Sequence, residues 1–99
     1  MIRDFFLGFI KIHVLYHASE GPVYGAEMAR ELQSHGYDVS PGTLYPTLHG
    51  LEQSGYLSSE GRVVEGRRRK YYRITPRGQT ALAEARARIA ELVDEVLGE

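Results

Sequence analysis

The sequence predicts a mainly α-helical fold with one small β-hairpin. Three observations carry this. Apolar residues recur at helical spacing in four segments, the period drops to two between about Tyr56 and Ile74, and Ser40-Pro41 and Thr75-Pro76 each read as a helix start. In both starts a hydroxyl residue suits the N-cap and proline follows at the first helical position, where its missing N–H costs nothing. Ninety-nine residues, 42% hydrophobic and 25% charged, suit one small globular domain. So short a chain buries a modest share of its surface, which makes burial shared between copies a natural supplement. Cysteine is absent, which excludes disulfide scaffolds and thiolate metal sites and fits a reducing, cytoplasmic setting. The longest apolar run, FFLGFI at 5–10, is too short to span a bilayer, and MIRD lacks the features of a signal peptide. Neither secretion nor membrane insertion is expected.

Asp4 is the expected N-cap of a first helix, in which Phe5, Phe9, Ile12 and Tyr16 form one apolar stripe and Phe6, Ile10 and Val14 fill the next. One core covers only one face, so a partner subunit is expected on the other. Gly21 and Pro22 end this helix. A second, from about Tyr24 to Ser34, turns Met28, Ala29 and Leu32 inward, and Gly36 suits the left-handed position past its end. Ser40 opens a third, buried through Leu44, Leu48 and Leu51 and stopped by Gly55; with the second it makes a helix-turn-helix. YLSS and KYYRI then alternate around a polar stretch from Glu60 to Arg69, predicting a hairpin with a long basic tip. On the last helix, to about Leu97, Leu82, Ala85, Ile89, Leu92 and Val96 step by 3, 4, 3, 4, a seam that pairs with another helix. The order is that of a winged helix-turn-helix, residues 1–75, followed by a long C-terminal dimerisation helix, residues 76–99.

The net charge of -1 hides a strong asymmetry. Between 62 and 78, Arg62, Arg67, Arg68, Arg69, Lys70, Arg73 and Arg77 face Glu65 alone, while both flanking segments are acidic. The third helix is also anomalous. Pro46 cannot donate to the Gly42 carbonyl, a defect of ~3 kcal/mol in an ordinary helix interior, and Gly42 adds ~1 kcal/mol relative to alanine. Ser40, Gly42, Thr43, Tyr45, Pro46 and Thr47 are therefore poor choices for helix stability. They suit a recognition helix whose N-terminal end approaches a duplex closely and offers hydroxyls, a phenol and a free helix dipole. His49 belongs on the same exposed side, near phosphate. The alternative is a strained turn packed on the hairpin. Arg67, Arg68, Arg69 and Lys70 would place positive charge over the neighbouring minor groove, unless the hairpin is simply a solvated basic surface, and of Tyr71 and Tyr72 one is expected to be buried beneath the wing and the other, assigned as Tyr71, available to a phosphate.

At SPGTLYPTLHGLEQSGYL, residues 40–57, and RKYYRITPRG, residues 69–78, the chain resembles the PadR family of bacterial transcriptional regulators, and YGAEMARELQ at 24–33 is similar to that family's YGYEIAxxL. The resemblance implies a homodimeric repressor that binds an inverted-repeat operator in double-stranded DNA and is often relieved by a small planar or phenolic effector. Two departures stand out. The proline common near position 67 or 68 of the wing is replaced by arginine, and no aromatic residue follows Tyr72 for an effector to stack on.

Phe5, Phe6, Phe9 and Tyr16 are candidate effector-pocket residues, with core or interface packing as the alternative; Phe5 and Phe9 are also assigned to the dimer contact. His13 and His17 have the i, i+4 spacing that can hold a divalent metal, but two ligands do not complete a site, and His35 and His49 join only if the fold brings them close. Sequence therefore assigns no metal and no cofactor. With no recognisable nucleophile, paired carboxylate or phosphate loop, an enzyme is not expected. Two rival readings remain: a winged-helix module that binds another protein and never touches DNA, and a metal-responsive sensor.

Overall fold

The computed structural model describes residues 2–98. The chain runs α1 (Ile2–Glu20), β1 (Val23–Tyr24), α2 (Gly25–Ser34), α3 (Pro41–Gln53), β2 (Leu57–Val64), β3 (Arg67–Ile74) and α4 (Pro76–Val96). The strands form one antiparallel sheet in the order β1-β3-β2. This is a winged helix-turn-helix, with the β2–β3 hairpin as the wing.

The core forms where the apolar faces converge. Ile10, Val14, Leu15 and Ala18 from α1 meet Met28 and Leu32 from α2, Leu44, Leu48 and Leu51 from α3, and Leu57, Tyr72 and Leu82 from the wing and α4. α1 thus buries one stripe and leaves Phe5, Phe9 and Tyr16 exposed on another. Leu82 corrects the sequence-based seam. It is 4% exposed inside the chain's own core, Ala85 is half-buried, and the exposed apolar residues of α4 begin at Ile89 and continue through Leu92, Val93 and Val96. A packing boundary therefore does not fall at 75/76. The N-terminal turns of α4 belong to the winged unit, while its distal turns project from it.

Three local features fix how the units meet. Thr75 caps α4 by accepting from the Gly78 N–H at 3.0 Å and donates its own hydroxyl to the Gly55 carbonyl at 2.6 Å. Gly78 is required there because a Cβ would collide with the Tyr56 carbonyl and with Ile74. The wing differs from the expected long tip. Its strands pair without a break out to Val64 opposite Arg67, and the turn is only Glu65-Gly66, with φ of 52° and 76°. Two consecutive left-handed residues make the tight hairpin turn whose twist matches the strands. The arginines consequently lie along a strand rather than in a loop.

Candidate nucleic-acid interface

The exposed side of α3 is built by what its buried side leaves over. Leu44, Leu48 and Leu51 take the core positions, so Gly42, Tyr45, Pro46, His49 and Gly50 face outward together, with Ser40 at the tip. Pro46 sits inside a helix that continues past it to Gln53. The Gly42 carbonyl that loses a partner belongs to an exposed residue, so its loss does not strand a polar group in the core. Ser40 has the extended backbone of an N-cap, but its hydroxyl does not bond the first-turn N–H groups; it donates to Thr43 Oγ1 at 3.3 Å. Thr47 donates to the Thr43 carbonyl at 2.8 Å, so its hydroxyl is turned back on the helix. Tyr45 lies over the start of α2, where a Cβ on Gly25 would stand 2.5 Å from its ring. Gly25 is thus a positioning residue that the sequence reading did not identify; the signal was a glycine opening a helix, directly after YGAEM's tyrosine.

The wing divides its basic residues by strand alternation. Tyr72 points into the core, so Arg68 and Lys70 lie on its side of the sheet, toward α3, and Arg67, Arg69, Tyr71 and Arg73 lie on the other. On the outer side Arg69 stacks 4.2 Å from the Tyr24 ring centroid, Arg62 lies 4.8 Å from that of Tyr71, and the two tyrosines meet edge to face at 5.4 Å. Arg30 donates to the Tyr24 hydroxyl at 3.1 Å; this bond first, with Arg69 adding to it, holds the phenol below its usual range. Arg62 and Arg73 share Glu60 Oε1 at 2.7 and 3.3 Å and hold that carboxyl low. On the inner side Lys70 Nζ is 3.2 Å from Glu52 Oε1, and Ser59 donates to Glu52 Oε2. The Ser59 bond first, and Lys70 second, hold the Glu52 carboxyl below its ordinary range. Arg67 and Arg68 are exposed and have no ion pair among the described residues.

The third helix and the wing meet in one hollow of about 450 Å3, lined by Tyr45 from α3, Arg30 from α2, Tyr24 and the basic run Arg67 to Lys70. Of the residues predicted to touch DNA, Tyr45 and the basic run therefore converge. Gly42, Thr43, Pro46 and Thr47 border a second hollow, of about 490 Å3, against Arg3 and Lys11 of α1. Tyr71 is half-buried within the Tyr24 and Arg62 stack, and Tyr72 is the buried member of the pair.

The candidate effector residues separate. Phe9 and Tyr16 line an apolar hollow of about 380 Å3 between α1 and α4, with Ile12, His13, Tyr37 and Ile89. Phe6 instead packs on Tyr37 with ring centroids 5.2 Å apart, and neither it nor Phe5 lines that hollow. The histidines also differ from expectation. Where sequence assigned no metal, the fold brings His35 to His13 and His17, with one candidate ligand atom of each within 4.8 Å of the others. Burial first, then His35 and His17, lowers the His13 pKa. His49 remains apart, exposed on α3.

Comparison with known proteins agrees with this architecture. The transcriptional regulator PadR-like family matches residues 14–84. Transcriptional regulator Rv3488 of Mycobacterium tuberculosis is 54% identical over 97 residues, covering 98% of this chain and 91% of that protein. A PadR family transcriptional regulator from Eggerthella lenta superposes with a TM-score of 0.84 at 35% identity, covering 97% of this chain and 85% of its own. A PadR-like transcription factor from Bacteroides fragilis gives 0.84 at 29% identity, covering 95% and 92%. Fold and sequence converge on regulation of transcription rather than enzymatic chemistry, and the chain belongs to the PadR-like family of transcriptional regulators.

Proposed function

We propose that the chain is a homodimeric repressor, working in the cytoplasm, that binds an inverted-repeat operator. The observation that carries this reading is the hollow shared by Tyr45 and the run Arg67 to Lys70, because it sets a phenol of the recognition helix and unpaired guanidinium groups of the wing against one surface. Each subunit inserts the Ser40 to His49 side of α3 into a major groove and lays its wing along the adjacent backbone or minor groove, the half-sites standing about one helical turn apart. Ser40, Gly42, Thr43 and Pro46 bring backbone and hydroxyl close to phosphate, Thr47 shapes the turn beneath them, and Arg67 and Arg68 supply charge.

Dimerisation is supported by apolar surface that one chain leaves uncovered: Phe5 and Phe9 on α1, and Ile89, Leu92 and Val96 on α4. A second copy of α4 laid along that surface covers it. The apolar hollow between α1 and α4 suits a small planar or phenolic effector that Phe9 and Tyr16 would contact, and binding there would relieve repression by altering how the two subunits are spaced. A mobility-shift assay with promoter DNA of the protein's own gene tests the reading. Retarded DNA at low salt with cooperative, two-site occupancy is expected; no retardation at low salt would favour a module that binds another protein through the same apolar faces.

A further inference from the structure

We propose that His13, His17 and His35 form a binding site for a divalent late first-row transition-metal ion, with Zn2+ as the representative. The site is independent of the DNA-binding reading. His13 and His17 lie one turn apart on α1, and the third imidazole comes from the opposite side of a helix junction: His35 is the C-cap of α2, followed by Gly36, whose φ of 89° turns the chain back. Ring centroids stand 4.9 Å apart for His13 and His35, 5.9 Å for His17 and His35, and 6.3 Å for His13 and His17. The Tyr37 ring closes on the His13 ring edge to face at 5.1 Å and walls one side.

Two features distinguish this cluster from three surface histidines that happen to be neighbours. His17 Nε2 is buried and has no hydrogen-bond partner, although the side chain is only 12% exposed. A buried polar atom without a partner is costly, and a metal bond is one way to satisfy it. The other nitrogen of the same ring, Nδ1, is 3.9 Å from Glu20 Oε1. No hydrogen bond is made at that distance, but the carboxylate stands on the side of the ring from which an outer-shell acceptor would orient a metal-ligating histidine. The surroundings favour a cation as well. The hollow against His17 is edged by Glu20, Glu27 and Glu31, and Arg86 shares with His13 the apolar hollow between α1 and α4.

The distances fit with modest closure. A tetrahedral ion with bonds of ~2.0–2.1 Å places its nitrogen ligands ~3.3–3.4 Å apart. From separations within 4.8 Å the rings close by at most ~1.5 Å, a shift within reach of small rotamer adjustments of the three side chains. An all-imidazole set selects Zn2+, Co2+, Ni2+ or Cu2+ over Mg2+ and Ca2+, which prefer oxygen. Three protein ligands leave one position for water. Binding would fasten α1 to the end of α2, the first helix of the helix-turn-helix.

The test uses the full chain, stripped with a chelator and titrated with Co2+ alone and Zn2+ alone. Saturation at one ion per chain is expected, with the intense visible d–d bands of four-coordinate Co2+, and Zn2+ should displace them. His35→Gln, at an exposed position that leaves the fold intact, and His13→Gln should each weaken binding by roughly tenfold or more, while the metal-free melting temperature of His35→Gln stays at the wild-type value. The proposal is overturned by an absence of saturable binding, or by displacement of Co2+ by an equal concentration of Mg2+. Unchanged affinity in His35→Gln would also overturn it, since that would reduce the site to an ordinary pair on one helix.

Discussion

Replacing Arg67 and Arg68 together with alanine isolates the electrostatic part of DNA binding. These two guanidinium groups are exposed and have no ion-pair partner among the described residues, so the substitution takes away charge without stranding an acid. If each neutralises one phosphate, the log–log dependence of affinity on salt flattens by ~0.9 per contact, up to ~1.8 per subunit and ~3.6 for two subunits. Raising salt from about 50 to about 200 mM then weakens wild type by up to ~150-fold more than the variant. Arg73→Ala is the internal comparison. Its guanidinium is already engaged by Glu60 at 3.3 Å, so its removal should flatten the slope by less than one full contact, under ~0.9 per subunit. Fluorescence anisotropy on a labelled operator duplex across that salt range reads both. An unchanged slope for the double variant, or a larger change for Arg73→Ala, would refute the assignment of free and engaged arginines.

Other predictions follow from single contacts. Leu92→Asp places charge on an apolar residue that is 53% exposed in the isolated chain, and sedimentation should show monomers; persisting dimers would move the interface elsewhere. Thr75→Ala removes both the α4 cap and the bond to Gly55, costing ~1–2 kcal/mol, or roughly 5–15 °C in melting temperature for a domain of this size. Glu52→Gln breaks a pair whose members are 27% and 51% exposed, worth ~0.2–1 kcal/mol. Because the folded carboxyl titrates below its ordinary 4.5, that stabilisation is fully present above 4.5 and is lost as pH falls through the lowered value. The gap between wild type and Glu52→Gln should therefore be open at pH 7 and closed in acid, by denaturant melts; a gap that survives acidification would show that something other than charge was lost.

Much of the fold was legible because local chemistry declared it. The Ser40-Pro41 and Thr75-Pro76 pairs mark helix starts at the positions observed, and Leu44, Leu48 and Leu51 are buried as their spacing predicts. What sequence did not show depends on distant partners. β1 is two residues long, too short for any period, and exists because Tyr71 and Tyr72 offer it an edge. The wing strands outrun their apolar alternation because backbone pairing continues through arginine and glycine, and the Glu65-Gly66 turn resembled part of a longer polar loop. Leu82 fits a seam by spacing, and only the position of α1 decides that it belongs to the core. The histidine cluster was half visible for the same reason: one helix supplies an i, i+4 pair, and the third ring arrives through a chain reversal no spacing rule encodes.

Glu52 stands near the C-terminal end of α3 and sends one carboxylate oxygen to Ser59 on β2 and the other to Lys70 on β3. A single side chain thus links helix and finger, and it biases the span between them toward one value at a strength of ~0.2–1 kcal/mol. If helix and finger grip one operator as proposed, lengthening it by one base pair between their two footprints would divide the misfit between this weak brace and the twist of the duplex, so the brace sets how much of it the DNA absorbs.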